Sequence, residues 1–151
     1  MNASISIFRR LGGSVGALVL VQLHVVGGLA ADSGSDRSYA FDKDPIGKPP
    51  AGFVEALTAG GGPVKWLVIE ASDAPSRKQV VAQLSQDSTN TRYPLLVLDE
   101  FSAKDVDVSV KFKPVSGKVD QAAGIVWRWQ DKDNYLVVRA NARRDKAPVL
   151  L

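Results

Sequence analysis

Carboxylates, arginines and aromatic rings are the side chains of this 151-residue chain that could carry out chemistry. The chain has no cysteine, which excludes a thiol nucleophile, a disulfide framework and Cys-based zinc or iron–sulfur sites. Its single histidine, His24, lies in an apolar N-terminal segment. Ser-His-Asp catalysis and histidine metal sites are therefore excluded from the rest of the sequence.

Four carboxylates are weak catalytic candidates, because glycoside hydrolysis usually needs two carboxyl groups about 5–10 Å apart. Asp99 and Glu100 follow an apolar run, at a strand end where a site could form, but adjacent strand residues point in opposite directions. Asp105 and Asp107 share one face of a predicted strand whose other face is apolar, which favours simple exposure to water. The sequence therefore leaves the catalytic residues unassigned.

Residues 105–140 are predicted to form an antiparallel meander of three strands. Apolar and polar residues alternate in Asp105–Phe112, which is typical of a strand with one buried face. A loop containing Gly117 leads to the second strand, Ala122–Trp129, and the turn Asp131–Asn134 leads to the third, Asn134–Ala140.

The last two strands of this meander predict a binding face. With Gln130 opposite Tyr135, the residues expected on the core face are Ile125, Trp127, Trp129, Leu136, Val138 and Ala140. The other face carries Val126 and Val137, with Gly124 opposite Asn141 at its far end, and its polar and aromatic members are Arg128, Tyr135, Arg139 and Asn141. Guanidinium groups and an aromatic ring suit a polyhydroxylated ligand, since one offers a fork of donors and the other an apolar plane. The same pattern also suits a solvated outer face, on which arginine side chains cover apolar neighbours.

The spacing of short apolar runs predicts an all-β fold, an antiparallel two-sheet sandwich. Gly and Pro clusters separate the runs, and no amphipathic helix lies between them. For Ser76–Ser85, a short helix is the alternative to a strand. The predicted strands are Tyr39–Asp42, Phe53–Leu57, Val64–Glu70, Gln79–Leu84, Leu95–Leu98, Asp105–Phe112, Ala122–Trp129 and Asn134–Ala140.

Residues 1–30 have the order of a secretory signal peptide. Arg9 and Arg10 precede the uncharged run Leu11–Val26, and small residues at Gly28 and Ala30 predict cleavage before Ala31. The alternative is an uncleaved N-terminal anchor, but the run is shorter than the ~20 strongly apolar residues of a membrane span and contains glycine, Gln22 and His24. Residues 31–38 are a polar lead, and residues 39–151 form the predicted domain. The expected location is secreted or periplasmic, without a membrane segment after cleavage.

Cleavage also changes the net charge. The whole chain carries 19 basic and 16 acidic residues, a net charge of +3. The segment contains two of the basic residues and none of the acidic ones, so 19 − 2 = 17 basic residues remain against 16 acidic ones, a net charge of +1. No remaining stretch clusters Lys and Arg as a phosphate-tracking surface does, which argues against a nucleic-acid partner.

The run FSAKDVDVSVKFKPVSGKVDQAAGIVWRWQDKDNYLVVRANA resembles the signature of exported bacterial proteins in the 3-keto-disaccharide hydrolase group. The earlier YAFDKDPIGKPPAGF and the strand containing Trp66 are similar to the opening of the same domain, so the resemblance spans about Tyr39 to Ala142. It implies a laminin-G-like and concanavalin A-like jelly roll with a link to glycan binding or sugar hydrolysis. A carbohydrate is accordingly the expected partner, and a non-catalytic laminin-G-like adhesion or structural module is the alternative.

Two further expectations concern the C-terminus and the cofactors. From Arg143 onward the sequence departs from the family pattern, which indicates a truncated or frameshifted domain that lacks its C-terminal half. A fragment of this kind, with an uncovered apolar face, could also be non-functional.

No cofactor or metal is indicated, although a structural calcium is compatible with concanavalin-like folds. The turn Asp131–Asn134 opens like a calcium loop, but the Gly and final Glu of such a loop are missing.

Overall fold

The computed structural model describes residues 3–6, 17–18, 23–26, 37–72, 74, 79–99, 101–103, 105–115 and 122–141. Within these ranges all regular secondary structure is β-strand, which confirms the prediction of an all-β chain. Helices are absent from this part of the chain, so it contains no helix that is long and apolar enough to span a membrane.

Every predicted strand has a counterpart among the observed strands, and three further short strands lie in the N-terminal segment. In chain order the strands are β1 Ala3–Ser6, β2 Ala17–Leu18, β3 Leu23–Val26, β4 Arg37–Tyr39, β5 Phe53–Ala59, β6 Trp66–Glu70, β7 Gln79–Gln83, β8 Arg92–Leu98, β9 Asp107–Ser109, β10 Ala122–Asp131 and β11 Asn134–Asn141. The alternative of a helix within Ser76–Ser85 is wrong, since β7 is extended. The predicted strand Tyr39–Asp42 ends early because Phe41 has a φ of 60°, which extended backbone does not allow.

The strands form three small sheets in which every pair is antiparallel. The largest sheet has five strands in the order β11-β10-β1-β8-β5, and the two others have the orders β2-β7-β6 and β4-β3-β9. The predicted three-stranded meander is wrong in one respect, because β9 pairs with β3 rather than with β10. The edge of β10 that β9 would need is taken by β1, so only the β10–β11 hairpin of the meander forms.

One hydrophobic cluster joins the five-stranded sheet to the β6–β7 pair. Leu96 and Leu98 from β8 pack in the same cluster as Trp66 and Val68 from β6, and all four are buried. The other buried members are Phe41, Val81, Phe101 and Ala123. The members contributed by β6 and β8 alternate along their strands, as period-two side-chain geometry requires. This cluster is the main core that connects separate sheets.

A second cluster lies on the opposite face of the five-stranded sheet. Leu95 and Val97 of β8 pack there with Ala122 and Val126 of β10. Strand β8 is therefore buried on both faces, which explains why its run Pro94–Leu98 is continuously apolar instead of alternating. The partly buried residues around this cluster are Ala56, Tyr93, Trp129, Tyr135 and Val137. We call its face of the sheet the inner face.

The five-stranded sheet curls until its two edge strands meet. Tyr135 of β11 donates a hydrogen bond from its hydroxyl to Thr58 Oγ1 of β5, at 3.0 Å. Thr58 in turn donates to the carbonyl oxygen of Lys132, in the β10–β11 turn, at 2.5 Å. Since β5 and β11 are opposite edges of the sheet, these two bonds tie its ends together around the inner face.

A glycine permits the close approach of β10 and β11. A Cβ atom placed on Gly124 would lie 2.1 Å from the carbonyl oxygen of Val138, a backbone atom that cannot move aside without shifting the strand. We expect Gly124→Ala to lower the free energy of unfolding by about 1–3 kcal/mol or more, as overpacking does. Gly60→Ala is the matched control, because its Cβ would make only an ordinary 3.5 Å contact with Thr89. Equal thermal unfolding midpoints for the two variants would contradict this account.

Candidate functional site

The candidate site is built around a β-bulge in β10. Trp127 pairs with Leu136 and Asp131 pairs with Asn134, so the three residues 128–130 lie opposite the single residue Tyr135. Arg128 has a φ of 53°, a left-handed conformation that side chains larger than glycine rarely adopt. A bulge of this kind bends the strand and reorients the side chains that follow it.

The bulge corrects the predicted assignment of the two faces. The predicted register, with Gln130 opposite Tyr135, matches the observed pair Asp131–Asn134, but beyond the bulge the pairing is shifted by two residues. The predicted grouping of Trp129 with Ile125 and Trp127 on one face is therefore wrong, because Trp129 packs on the inner face with Val126. Trp127 lies next to Val126 along the strand and so belongs to the opposite face.

The inner face is also more buried than the sequence suggests. Val126, expected on a polar or solvated face, is 0% exposed. Leu136, expected in the core, is 46% exposed, and Ala140 is exposed as well. The face assignment fails because the curl of the sheet, which places β5 against β11, is not visible in the alternation of a single hairpin.

Two aromatic rings stack at the bulged end of the inner face. The ring centroids of Trp129 and Tyr135 are 5.5 Å apart, with an interplanar angle of 28°. Both residues are half-buried, so part of the ring pair remains accessible to solvent. The hydrogen bond from the Tyr135 hydroxyl to Thr58 holds one ring in place. We call Trp129 and Tyr135 the ring pair.

The predicted ligand residues are only partly brought together. Tyr135 and Arg139 are four residues apart on β11 and therefore lie on one face, with Arg139 paired to Gly124. Asn141, the last residue of β11, is paired to Ala122. Arg139 is half-buried. Arg128 is exposed and lies on the bulge, immediately before Trp129. The structure adds Trp129 to the candidate site, a residue that the sequence placed in the core.

The four candidate catalytic carboxylates do not share one element. Asp99 is exposed at the end of β8, and its backbone N–H donates to the carbonyl oxygen of Gly52 at 2.9 Å. Asp105 and Asp107 are also exposed, and Asp107 belongs to β9 in the β4-β3-β9 sheet. Glu100 lies outside the described residues.

The turn between β10 and β11 is closed by its own acidic residue. Asp131 Oδ1 accepts a hydrogen bond from the backbone N–H of Asp133 at 2.8 Å, and both carboxylate oxygens accept from Asn134 Nδ2 at 2.9 Å. These bonds, the backbone one first, hold the pKa of Asp131 below its usual range. The carboxylate thus serves the turn geometry that Asp and Asn favour. In the described part of the chain, no three His, Cys, Asp or Glu residues are grouped so that they could hold a metal ion.

A second polar cluster, which the sequence did not predict, surrounds Arg92 at the start of β8. Arg92 is only 1% exposed, and its guanidinium group donates to three acceptors in neighbouring loops. These are the carbonyl oxygens of Gly62 and Pro63, at 3.0 and 2.7 Å, and Ser85 Oγ, at 3.1 Å. Burial lowers the pKa of Arg92, and the nearby carboxylate of Asp87 opposes this shift.

The loop Gly60–Pro63, a Gly-Gly-Gly-Pro motif, lies beside Arg92. Gly61 has a φ of 100°, and a Cβ atom there would lie 2.7 Å from Arg92 Cδ. The backbone N–H of Gly62 donates to the Asp87 carboxylate, which also accepts from the backbone N–H of Thr89 at 2.7 Å. The loop borders a cleft of about 350 Å³ whose lining runs from Pro63 to Lys65 and from Leu84 to Asp87. The motif therefore has a structural role here as a loop held by Arg92 and Asp87.

The hydrogen bonds to Asp87 predict a pH dependence of stability. Bonds from Thr89 and then Gly62 lower the pKa of Asp87 from 3.8 to about 2. Because the pKa is depressed in the folded state, the ionised carboxylate stabilises the protein above about pH 4, and this stabilisation is lost as the pH falls through about 2. The unfolding midpoint of Asp87→Asn should accordingly vary less between pH 4 and 2 than that of the unsubstituted protein.

A matched carboxylate makes this prediction specific. Asp107→Asn is the control, because it removes an exposed carboxylate from β9 and leaves the loop beside Arg92 unchanged. Thermal unfolding followed by circular dichroism at several pH values measures the difference. Equal flattening in both variants would contradict the role assigned to Asp87.

Comparisons with known proteins give no relative for this chain. No protein-family model, no curated protein and no solved structure matches it.

Proposed function

We propose that this chain is a carbohydrate-binding domain that contacts its ligand at the ring pair and the adjacent bulge. The observation that carries the proposal is the half-buried stack of Trp129 and Tyr135 beside the exposed Arg128. The proposed architecture is a two-sheet jelly roll of the laminin-G-like and concanavalin A-like kind. It is supported by the all-β described structure and by the hydrophobic cluster that joins two of the sheets.

The chemistry of these side chains fits a sugar. Aromatic rings present an apolar plane that can pack on the C–H face of a pyranose, and their polar edges remain in water. The guanidinium group of an arginine offers a fork of donors that suits neighbouring hydroxyl groups. A ring that is already fixed in place loses little conformational entropy on binding, and the Tyr135–Thr58 hydrogen bond fixes one ring of the pair.

Binding is favoured over hydrolysis by the environment of the nearest carboxylates. Hydrolysis would place two carboxyl groups about 5–10 Å apart across the glycosidic bond. Asp131 and Asp133 are the carboxylates closest in sequence to Trp129, and both take part in the hairpin turn. Asp131 is bonded to Asn134, and Asp133 forms an ion pair with Lys132 at 2.5 Å. Hydrolysis of a glycosidic bond, as in the 3-keto-disaccharide hydrolase group, is therefore the less favoured form of this proposal.

An exported location belongs to the same proposal. It rests on the order of residues 1–30, in which a basic pair, an apolar run and small residues follow one another. A secreted or periplasmic domain would meet extracellular or cell-wall glycans. The sugar contacts proposed at the bulge are consistent with that environment.

A second candidate function is a non-catalytic module that contacts another protein, as laminin-G-like domains with adhesive or structural roles do. The observation in its favour is apolar exposure on both edge strands of the five-stranded sheet. Leu136 of β11 is 46% exposed and Val54 of β5 is 43% exposed. Exposed apolar side chains are common singly, but on sheet edges they also suit protein contacts.

The sugar-binding proposal is tested by a pair of tryptophan variants. Titration calorimetry with a panel of neutral oligosaccharides, including 3-keto-glucosides, should detect binding to the full chain. Trp129→Ala should weaken the affinity about tenfold, which corresponds to about 1.4 kcal/mol. Trp127→Ala is the control, because Trp127 is half-buried on the opposite face of β10 and should leave the affinity unchanged.

The outcomes of this experiment separate the candidate functions. An equal loss in both tryptophan variants would contradict a site at the ring pair. Release of a sugar product from the same panel, lost in Arg139→Ala, would support hydrolysis. Neither binding nor cleavage with any sugar would favour the protein-contact module or a non-functional fragment.

Arg128 provides a second test, because its backbone conformation and its side chain can be separated. Glycine adopts positive φ without steric cost, so Arg128→Gly keeps the bulge but removes the guanidinium group. We expect this variant to unfold at the same temperature as the unsubstituted protein or above it, while its oligosaccharide affinity falls several-fold. Unchanged affinity in Arg128→Gly would show that Arg128 takes no part in binding.

A further inference from the structure

The centre of the five-stranded sheet is formed by the short N-terminal strand β1. Ala3–Ser6 pairs with β10 through four residue pairs, from Ala3–Trp127 to Ser6–Gly124. On its other side β1 pairs with β8 through Ile5–Leu96 and Ser6–Leu95. The strand that completes the sheet therefore comes from the segment whose sequence predicts an export signal.

The topology makes this strand hard to replace by rearrangement. Because β1 is antiparallel to both neighbours, β8 and β10 run parallel to each other. Without β1 their backbones would face each other across two strand spacings, about 9–10 Å. Direct pairing of β8 with β10 would need a parallel ladder, whose hydrogen bonds are slanted and evenly spaced, in place of two antiparallel ones.

The curl of the sheet also holds the two strands apart. The hydrogen bonds of Thr58 with Tyr135 and Lys132 tie β5 to β11 and its turn, and these elements flank β8 and β10. Closing the gap by one strand width would displace one side of the sheet against this tie. The gap is thus a slot shaped for a single extended strand that runs antiparallel to both neighbours.

We infer that Ala3–Ser6 acts as an intramolecular strand donor. In one molecule the N-terminal segment can therefore be either an export signal that is cleaved off or the source of the strand that completes the sheet, but not both. While the segment is attached, Ala3–Ser6 fills the slot between β8 and β10 and completes the sheet. If the segment is cleaved before Ala31, the slot is empty and the facing edges of β8 and β10 lose the backbone hydrogen bonds that β1 makes with them. Unpaired backbone N–H and C=O groups in a buried position are strongly destabilising. The other described parts of the segment support this role, since β2 pairs with β7, and β3 pairs with β4 and β9.

A disulfide cross-link tests the position of β1, and the absence of cysteine from the chain makes the test clean. Ile5 lies in register with Ile125, and directly paired antiparallel residues have Cα distances of about 4.5–5.5 Å, within the range that a disulfide spans. The full chain carrying Ile5→Cys and Ile125→Cys, produced without export and oxidised, should lose its free thiols. The control carries Ile5→Cys and Val138→Cys, since Val138 pairs with Ile125 and lies two strands away from β1.

The two double variants give opposite results if the inference holds. Intramolecular cross-linking of the Ile5–Ile125 pair, at least tenfold faster than that of the Ile5–Val138 pair, supports the inference. Equal rates in the two variants, or no cross-link in either, overturn it.

A proline variant keeps the inference testable if cysteine substitution impairs folding. A central strand is bonded on both sides, so Ile5→Pro removes a backbone donor that the sheet uses. Its thermal midpoint in the full chain should fall by about 5 °C or more. Ile5→Val keeps an apolar β-branched residue with its N–H, so its midpoint should fall by less than half as much as that of Ile5→Pro. Equal midpoints for Ile5→Pro and Ile5→Val would show that Ala3–Ser6 does not occupy the slot.

Discussion

The hydrogen bonds of Thr58 with Tyr135 and with the carbonyl oxygen of Lys132 are the contacts on which the rest of the sheet depends. They join opposite edges of a five-stranded sheet, and this closure encloses the inner face. The buried residues of the inner-face cluster all come from the five-stranded sheet itself. Leu95 and Val126 are nevertheless fully buried, because the sheet curls around them. Tyr135 serves two purposes at once, since its hydroxyl closes the sheet while its ring stacks on Trp129.

The bulge at Arg128 has a comparable effect on a smaller scale. In a regular strand Trp127 and Trp129 would share one face, and the Trp-Arg-Trp sequence would place both rings in the core. The left-handed backbone of Arg128 breaks this alternation, so Trp129 turns to the inner face and meets Tyr135. A non-glycine residue in this conformation stores backbone strain, which is found most often where a site uses it. The proposed sugar contacts therefore lie at the one point of β10 where regular pairing is interrupted.

The sequence was informative wherever local pattern decides structure. Short apolar runs between Gly and Pro clusters predicted the strands from Phe53 onward, and the Asp131–Asn134 turn formed as expected. Pairing partners and faces were less predictable, because they depend on contacts between residues far apart in the chain. Nothing in Asp105–Phe112 shows that its short strand pairs with β3, and nothing near Tyr135 shows that Thr58 is its partner. The role of Arg92 was missed for the same reason, since its acceptors lie 7 to 30 residues away.

Strand β8, whose run Pro94–Leu98 is apolar and buried, contributes to the inner face and lies between β5 and the N-terminal strand β1. A strand that is buried on both faces cannot lie at an exposed edge without exposing apolar side chains and unpaired backbone groups to water. Strand β5 covers one edge of β8, and the other edge requires a partner, which β1 supplies. The same argument applies to β10, whose second edge would otherwise be open beside the buried Ala122 and Ala123. The sheet therefore needs a strand at its centre, and any processing that removes Ala3–Ser6 must be matched by another strand or by loss of the curled form.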